Sequence, residues 1–307
     1  MNTAPIIVFA YNRPDHLRKT LTWLGQNELA DQSTLYVFCD GPKPNTTDEQ
    51  LTKVENARKV AHELAVVPTF KEVHIIEREE NLGLGTSVIT GVTEIINKHG
   101  RAIVLEDDLL TSPFFLTYMN RALELYEEED RVMHVSAYMW PHRGSLPDTF
   151  FSDIPNSWGW ATWSRAWKYF CKDSDFLYHM FEHRWEEFNK FGGDLLQKQL
   201  VENYNGRLST WYIKWYSMIL LRNGLTLYPG KSLIGHIGMD GSGTNCSPSN
   251  SFNEDHLALD LKIEKRPLEI NHRAGKEIFA FYQGRWYNRR RRRKLMNDIL
   301  RFLRLKK

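Results

Sequence analysis

The residues best suited to chemistry lie in one short run, GRAIVLEDDLLTSPFF, from Gly100 to Phe115. Ile103, Val104 and Leu105 read as a buried strand, and Glu106, Asp107 and Asp108 follow without a break. Adjacent carboxylates repel one another, so a bare cluster raises its own pKa values or costs stability. Hard oxygen donors at a strand end suit Mg²⁺ or Mn²⁺, which bind through one or two carboxylates together with substrate phosphates. Such an ion would supply the missing positive charge. The plainer alternative is a solvated acidic turn, eased by the amino end of the following helix.

The elements that would carry this run alternate strand and helix. APIIVFAY, TLYVFCD, KEVHIIER and RAIVLEDD are apolar stretches, separated by helical segments from Pro14 to about Asn27, from about Thr47 to Val66, and after NLGLG. Continuous apolar strands between amphipathic helices indicate a parallel sheet covered on both faces, an α/β unit of nucleotide-binding type. In such sheets ligands bind beyond the carboxyl ends of the strands. Here those ends read YNRP, CDGP, REENLGLG and EDD, polar or flexible in all four cases. The turn from Asn81 to Gly85 precedes a helix, where backbone N–H groups can hold a phosphate. It lacks the third glycine of the dinucleotide fingerprint and the Gly-Lys-Ser/Thr of a Walker loop, so a plain helix-starting turn is equally open.

The second part differs in kind. From Phe150 to Trp215 the chain is dense in tryptophan: NSWGWATWSRAWKYF, HRWEEF and STWYIKWY. Two readings stand, core packing or a pocket whose rings stack on sugars. Around Trp158, Gly159 and Trp160 the second is favoured, because Gly159 permits a close backbone turn. Cys39, Cys171 and Cys246 are odd in number and widely spaced, which points to reduced thiols in a cytoplasmic setting. There is no apolar run long enough to span a bilayer, and the N-terminal residues do not read as a secretory signal. Charge is uneven: residues from Arg285 to Lys307 carry +10, and the rest carries −8. Leu295, Ile299, Phe302 and Leu303 recur there at helical spacing, a basic amphipathic helix suited to an anionic membrane surface. An acidic body without a nucleic-acid motif argues against nucleic acid as the partner.

Several of these segments, taken in order, resemble the glycosyltransferases of GT-A fold: IIVFAYNRP, FCDGP, ENLGLG, VLEDDLLTSPFF, WGWATW and RNGLTLYPGKSLIGHIGMDGSGTNC. The similarity is greatest to the N-acetylglucosaminyltransferase I-like group and to bacterial family-2-like sugar transferases. It implies an α/β fold with a Rossmann-like, mostly parallel sheet flanked by helices and a Trp-rich acceptor-side half, to which the charge and spacing of the tail add a basic C-terminal helix. The corresponding divisions are residues 1–149 for the nucleotide-sugar half, 150–284 for the acceptor half and 285–307 for the tail. It also implies Mn²⁺ or Mg²⁺, a nucleotide-sugar donor and a glycan acceptor, in an enzyme of surface polysaccharide synthesis; a lipid-linked glycan acceptor at the inner membrane face would explain the basic tail.

Carried onto this chain, the resemblance places Arg13 on the nucleotide or its phosphates and Asp40 on the base or ribose. Asn81 and Gly83 would lie near the same groups. Asp108 would be the metal ligand, joined by His236, with Asp107 beside the donor sugar and Glu106 in support. Trp158, Gly159, Trp160 and Trp211 would line the sugar and acceptor pocket. Inverting enzymes of this fold use a carboxylate as base, and the expected position in STWYIKW offers none. Asp153, Glu202 and Asp240 remain, with Asp153 preferred for its place just before NSWGW. Alternatives of other kinds are a sugar-nucleotidyltransferase, a retaining enzyme, or a carbohydrate-binding scaffold that has lost its base.

Overall fold

The computed structural model describes residues 3–189, 194–242 and 257–282. The basic tail from Arg285, and Cys246 with it, lie outside the described residues. The chain begins with β1 (Ile6–Ala10), α1 (Pro14–Gly25), β2 (Thr34–Cys39), α2 (Asp48–Ala65), β3 (Glu72–Glu77), α3 (Gly83–His99) and β4 (Arg101–Glu106). It continues with β5 (Leu109–Thr111), α4 (Phe115–Leu125), β6 (Val132–Ser136), β7 (Thr149–Ser152), β8 (Trp160–Trp163) and α5 (Ser164–Trp167). Then come α6 (Ser174–Phe181), α7 (Trp185–Phe188), α8 (Asp194–Tyr204), α9 (Trp211–Leu221), β9 (Leu225–Pro229), β10 (Ile234–His236) and α10 (His272–Tyr282).

Local signals account for the helix starts. Pro14 opens α1, where its missing N–H costs nothing, and Leu17, Leu21 and Leu24 form its buried stripe. The Thr47 side chain accepts from Gln50 N at 3.3 Å and caps α2, with Asp48 and Glu49 in the first turn. At the far end of α3, Gly100 takes φ +80 and returns its N–H to Ile96 O, after which β4 can begin.

Eight strands form one sheet in the order β3-β2-β1-β4-β8-β6-β9-β7. β3, β2, β1 and β4 pair in parallel, as do β6 and β9, whereas β8 and β7 run antiparallel to their neighbours. This is the Rossmann-like, mostly parallel α/β architecture that the sequence implies. Strands from both parts of the chain share the sheet, with β8 inserted between β4 and β6. A separate short ladder pairs β10 with β5.

The continuous apolar strands are explained by burial on both faces. Ile6, Val8 and Ala10 of β1 join one core with Leu35, Val37 and Cys39, while Ile7 and Phe9 join a second with Tyr36 and Phe38. Alternate side chains thus fill opposite layers. Burial pushes the Cys39 thiol up to about 12, so it stays protonated and inert.

Two expectations from the second part are corrected here. Trp160 and Trp211 are 1% and 3% exposed and belong to the second core. They stack on each other at 4.9 Å, with Trp160 also stacked on His134 at 5.2 Å. Neither lines the cavity at the carboxyl ends of β1, β2 and β4. Asp153 is likewise misplaced as a base. It follows β7, whose last residue, Ser152, pairs with Thr226 near the start of β9. Because β9 runs parallel to β6, and β6 points the same way as β4 across β8, Asp153 emerges at the amino ends of the parallel strands. The acidic run lies at the opposite end.

His134 anchors this core. Its Nε2 donates to Asn156 O at 3.0 Å, and its Nδ1 accepts from Trp215 Nε1 at 3.1 Å, so the ring is neutral. Burial lowers its pKa to about 3. The unfolded chain binds this proton below about pH 6.5 and the folded chain does not. The histidine's contribution to stability is therefore complete above pH 6.5 and declines toward pH 3, by about 1.4 kcal/mol per pH unit. Urea unfolding of the wild type and of His134→Gln at pH 7, 6, 5 and 4 should show the two stabilities converging as pH falls. A constant difference between them would remove His134 as a titrating group.

Candidate functional site

The carboxyl ends of β1, β2 and β4 lie side by side, and the residues that follow them meet over one cavity of about 270 Å³. Phe9 and Phe38, 5.4 Å apart between ring centres, give it an aromatic wall. Tyr11, Asn12, Arg13, Asp40, Lys43 and Asn81 supply polar groups. Gly83, Leu84 and Ser87 come from the start of α3, the three acids from the end of β4 and its turn, and Ser242 from beyond β10.

The acids find their positive partner within the chain. Arg13, at the N-cap of α1, makes no capping bond through its side chain. One nitrogen, Nη2, donates to Asp107 Oδ1 and, at 2.9 Å, to Asp108 Oδ2. Burial opposes the Arg13 charge, but attraction by Asp107 and Asp108 outweighs it and raises its pKa. Burial, with repulsion from Asp108, raises Asp107 to about 6 against the pull of Arg13. Burial and then repulsion from Asp108 and Asp107 raise Glu106 to about 8. One guanidinium therefore does not offset three carboxyl groups.

Backbone contacts hold the acids in this arrangement. Thr20 Oγ1, two turns along α1, donates to Asp107 O at 2.7 Å, and Ile237 N donates to Asp108 O at 2.9 Å. Gly238 lies against the carboxylate itself: a Cβ there would sit 2.0 Å from Asp108 Oδ2. Asp108 is 5% exposed, and its Oδ1 is buried without a hydrogen-bond partner.

Asp40 does something the sequence did not suggest. Its Oδ1 accepts from Gly41 N and Leu82 N, at 3.1 and 2.9 Å, and its Oδ2 accepts from Gly83 N at 3.0 Å. The amides of the glycine turn, for which a phosphate cradle and a plain helix start were both open, are thus taken by a carboxylate that fixes α3 to the end of β2. Asn81 reinforces the junction by donating to Gly41 O at 2.9 Å. Gly83 needs its φ of +73, and Gly41 has no room for a side chain beside Glu80.

Of the residues singled out in the sequence, Arg13, Asp40, Asn81, Gly83, Glu106, Asp107 and Asp108 share the cavity. His236 stands beside it, with Nε2 at 3.8 Å from Asp108 Oδ2 and Nδ1 buried without a partner. Burial lowers its pKa. The half-buried Trp158 packs on the His236 ring at 4.4 Å. Gly159, at φ +66, has Ile234 where its side chain would be, so it serves packing as well as the turn. Trp160, Trp211 and Asp153 are not brought to the cavity. Glu202, on α8, pairs with Arg207 at 3.3 Å and does not line it either.

Sequence reasoning passed over His16 and Gly238. His16 is one turn from Arg13 on the face of α1 that meets the acids, and its Nε2 lies 3.2 Å from Asp240 Oδ2. Asp240 Oδ1 accepts from Ser242 N and Oγ at 2.9 and 2.6 Å, bonds that lower the carboxyl pKa. The i,i+3 spacing of Arg13 and His16 in YNRPDHL was the available signal.

Among the described residues, no group of three or more His, Cys, Asp or Glu could hold a metal ion. A divalent cation here would have Asp108 and His236 as protein donors and take its other ligands from water or phosphate. The unpartnered Asp108 Oδ1 fits that role, and Mg²⁺ or Mn²⁺ commonly binds in this way.

No family model and no curated protein matches the sequence. Among solved structures, the chain is similar to the crystal structure of S. aureus TarS, with a TM-score of 0.31 and 17% identity. The overlap covers 48% of this chain and 24% of TarS. So loose an overlap says nothing of activity, which rests on the chemistry of the site.

Proposed function

We propose that this protein is a metal-dependent glycosyltransferase that moves a sugar from a nucleotide-sugar donor to a hydroxyl of a glycan or lipid-linked glycan. The observation that carries the reading is the buried, unpartnered Oδ1 of Asp108, a residue that lines a cavity together with Phe9, Phe38 and the two neighbouring acids. An aromatic wall beside Asp40, Asn81 and Lys43 suits a nucleobase and ribose. The acid end suits a diphosphate chelated through Mn²⁺ or Mg²⁺, held by Asp108 and His236. That ion would supply positive charge to the departing diphosphate.

The chain's own groups provide the rest. Asp107 orients the donor sugar, and Trp158 offers its face to the sugar beside His236. Asp240 replaces Asp153 as the base: it is held by His16 and Ser242, two residues from the Gly238 backbone that rests on Asp108. It takes the proton of the acceptor hydroxyl as that oxygen attacks the anomeric carbon and the bond to diphosphate breaks, with inversion. Among the described residues no helix is long and apolar enough to cross a membrane. In this reading the basic segment from Arg285 holds the enzyme on the cytoplasmic face, where a lipid-linked acceptor would be presented.

Thermal unfolding with a panel of nucleoside diphosphates and nucleotide sugars, with Mn²⁺ or with chelator, tests the donor site. A ligand at 100 times its Kd adds about 2.7 kcal/mol, which reads as a rise of several degrees. At least one nucleotide should raise Tm in the presence of Mn²⁺, and Asp108→Ala should abolish that rise while remaining folded. No rise with any member of the panel would sink the donor-site reading. Asp240→Asn should keep the rise and slow turnover by about 10²–10⁴-fold. Unchanged turnover would return the search for a base to the remaining residues. Removing the residues after Gly284 should end co-sedimentation with anionic liposomes, and persistent sedimentation would exclude the tail as the anchor.

A further inference from the structure

The acid pair is held by Arg13 in a way that conflicts with a second cation at the same place. Arg13 Nη2 bonds Asp107 and Asp108 through a single nitrogen, and Nη1 lies toward Gly238, where an added Cβ would meet it at 3.0 Å. The guanidinium side chain is 17% exposed, whereas those of Asp107 and Asp108 are 5% and 7% exposed. All three residues line the cavity, and Arg13 is the most accessible of them. The aspartates cannot leave, because Thr20, Ile237 and Gly238 fix their backbone and flank. Arg13 can: its side chain has no hydrogen bond to any described residue except the two acids.

We propose that Arg13 is an exchangeable counter-ion, which holds the Asp107–Asp108 pair when no other cation is bound and yields it when a divalent cation and a nucleoside diphosphate bind together. The proposal rests on the donor-site reading above and names the residue that links its two ligands. Charge decides the direction. A cation arriving alone must displace Arg13 and leave a half-buried guanidinium without an anion. A diphosphate arriving alone meets the carboxylates while the nearest positive group is already engaged. When both arrive, Asp108 has the cation and Arg13 is free to turn onto the diphosphate. Each ligand therefore favours the other, and the two enhancements must be equal. Arg13 is thus a positioning residue whose effect appears in binding, before any chemistry.

The experiment measures Mn²⁺ affinity, by electron paramagnetic resonance of the free ion, for the full-length wild type, Arg13→Gln, Arg13→Lys and Asp108→Asn. Each is measured alone and with the best nucleoside diphosphate of the thermal panel. Wild type should bind Mn²⁺ weakly alone and about 5- to 150-fold more tightly with nucleotide. Arg13→Gln should bind Mn²⁺ alone at least about tenfold more tightly than wild type, with a smaller enhancement by nucleotide. Arg13→Lys, which keeps the charge without the planar fork, should fall between them. It also serves as the test if the glutamine variant does not fold. Asp108→Asn should bind Mn²⁺ in neither condition.

Mn²⁺ binding alone that is unchanged or weaker in both Arg13 variants would overturn the counter-ion role. Absence of Mn²⁺ binding in every variant would do the same. The Mn²⁺-alone measurement needs no nucleotide, so a failed nucleotide panel with tighter Mn²⁺ binding in Arg13→Gln would reject the donor reading and keep Arg13 as the competing cation. A rise in Tm with nucleotide that is equal in wild type and both variants, with Mn²⁺ affinity unmoved, would keep the donor reading and reject the counter-ion.

Discussion

The constraint on which the site depends is electrostatic. Two unit charges about 4 Å apart near a protein surface interact by about 4 kcal/mol, and the end of β4 gathers three carboxyl groups from adjacent residues. Burial raises both Glu106 and Asp107 well above the ordinary carboxylate range, which is the sign of charge held at a cost. The fold meets this with one guanidinium, drawn from the residue that opens the neighbouring helix. Arg13 follows β1 and the acids follow β4, so the partnership depends on those strands being neighbours. It is a consequence of parallel topology, and a hairpin arrangement would not produce it.

The same logic governs the second strand end. Asp40 does not face the cavity as an unengaged carboxylate. It consumes the amide donors at the start of α3 and so fastens that helix to β2. A helix start closed in this way is a wall rather than a phosphate cradle. The positive groups left for a diphosphate are then Arg13, the exposed Lys43, and any bound cation. Fixing α3 also sets Gly83, Leu84 and Ser87 along the cavity, so Asp40 shapes the space even where it does not touch a ligand.

The parallel half of the sheet was legible because burial on both faces leaves a direct trace, an unbroken apolar run ended by polar residues. The strand ends that hold Arg13, Asp40 and the acidic run could be singled out on that basis, and the resemblance supplied the expected roles of the individual residues. Partners across the chain could not be singled out. That Asp40 would bond Leu82 and Gly83 depends on how α3 approaches β2, which composition does not encode. Trp160 and Trp211 looked like pocket residues because a tryptophan carries the same ring into a core as into a sugar site. Asp153 stood close to the glycine turn in sequence, but β7 runs antiparallel to β9 and carries it to the other end of the sheet. The His16–Asp240 pair joins residues from distant parts of the chain, and only the fold brings them together.

The tryptophan core nevertheless serves the site. β8 lies antiparallel between β4 and β6, and Trp160 opposite Val104 and Ser136 is clamped by His134 on one side and Trp211 on the other. The residue before it is Gly159, whose carbonyl accepts from Ala137 N at 2.8 Å and whose positive φ turns the chain over Ile234 of β10. One residue earlier, Trp158 rests on His236, and His236 approaches Asp108. A rigid stack in the core is thereby connected, through three consecutive residues, to the position of a histidine at the acid pair. Phe115 crowds the same glycine, since an added Cβ would meet its ring at 3.4 Å. Packing against α4 and β10 together leaves little freedom at Gly159. The buried tryptophans thus help to hold His236 beside Asp108, although Trp160 and Trp211 do not line the cavity themselves.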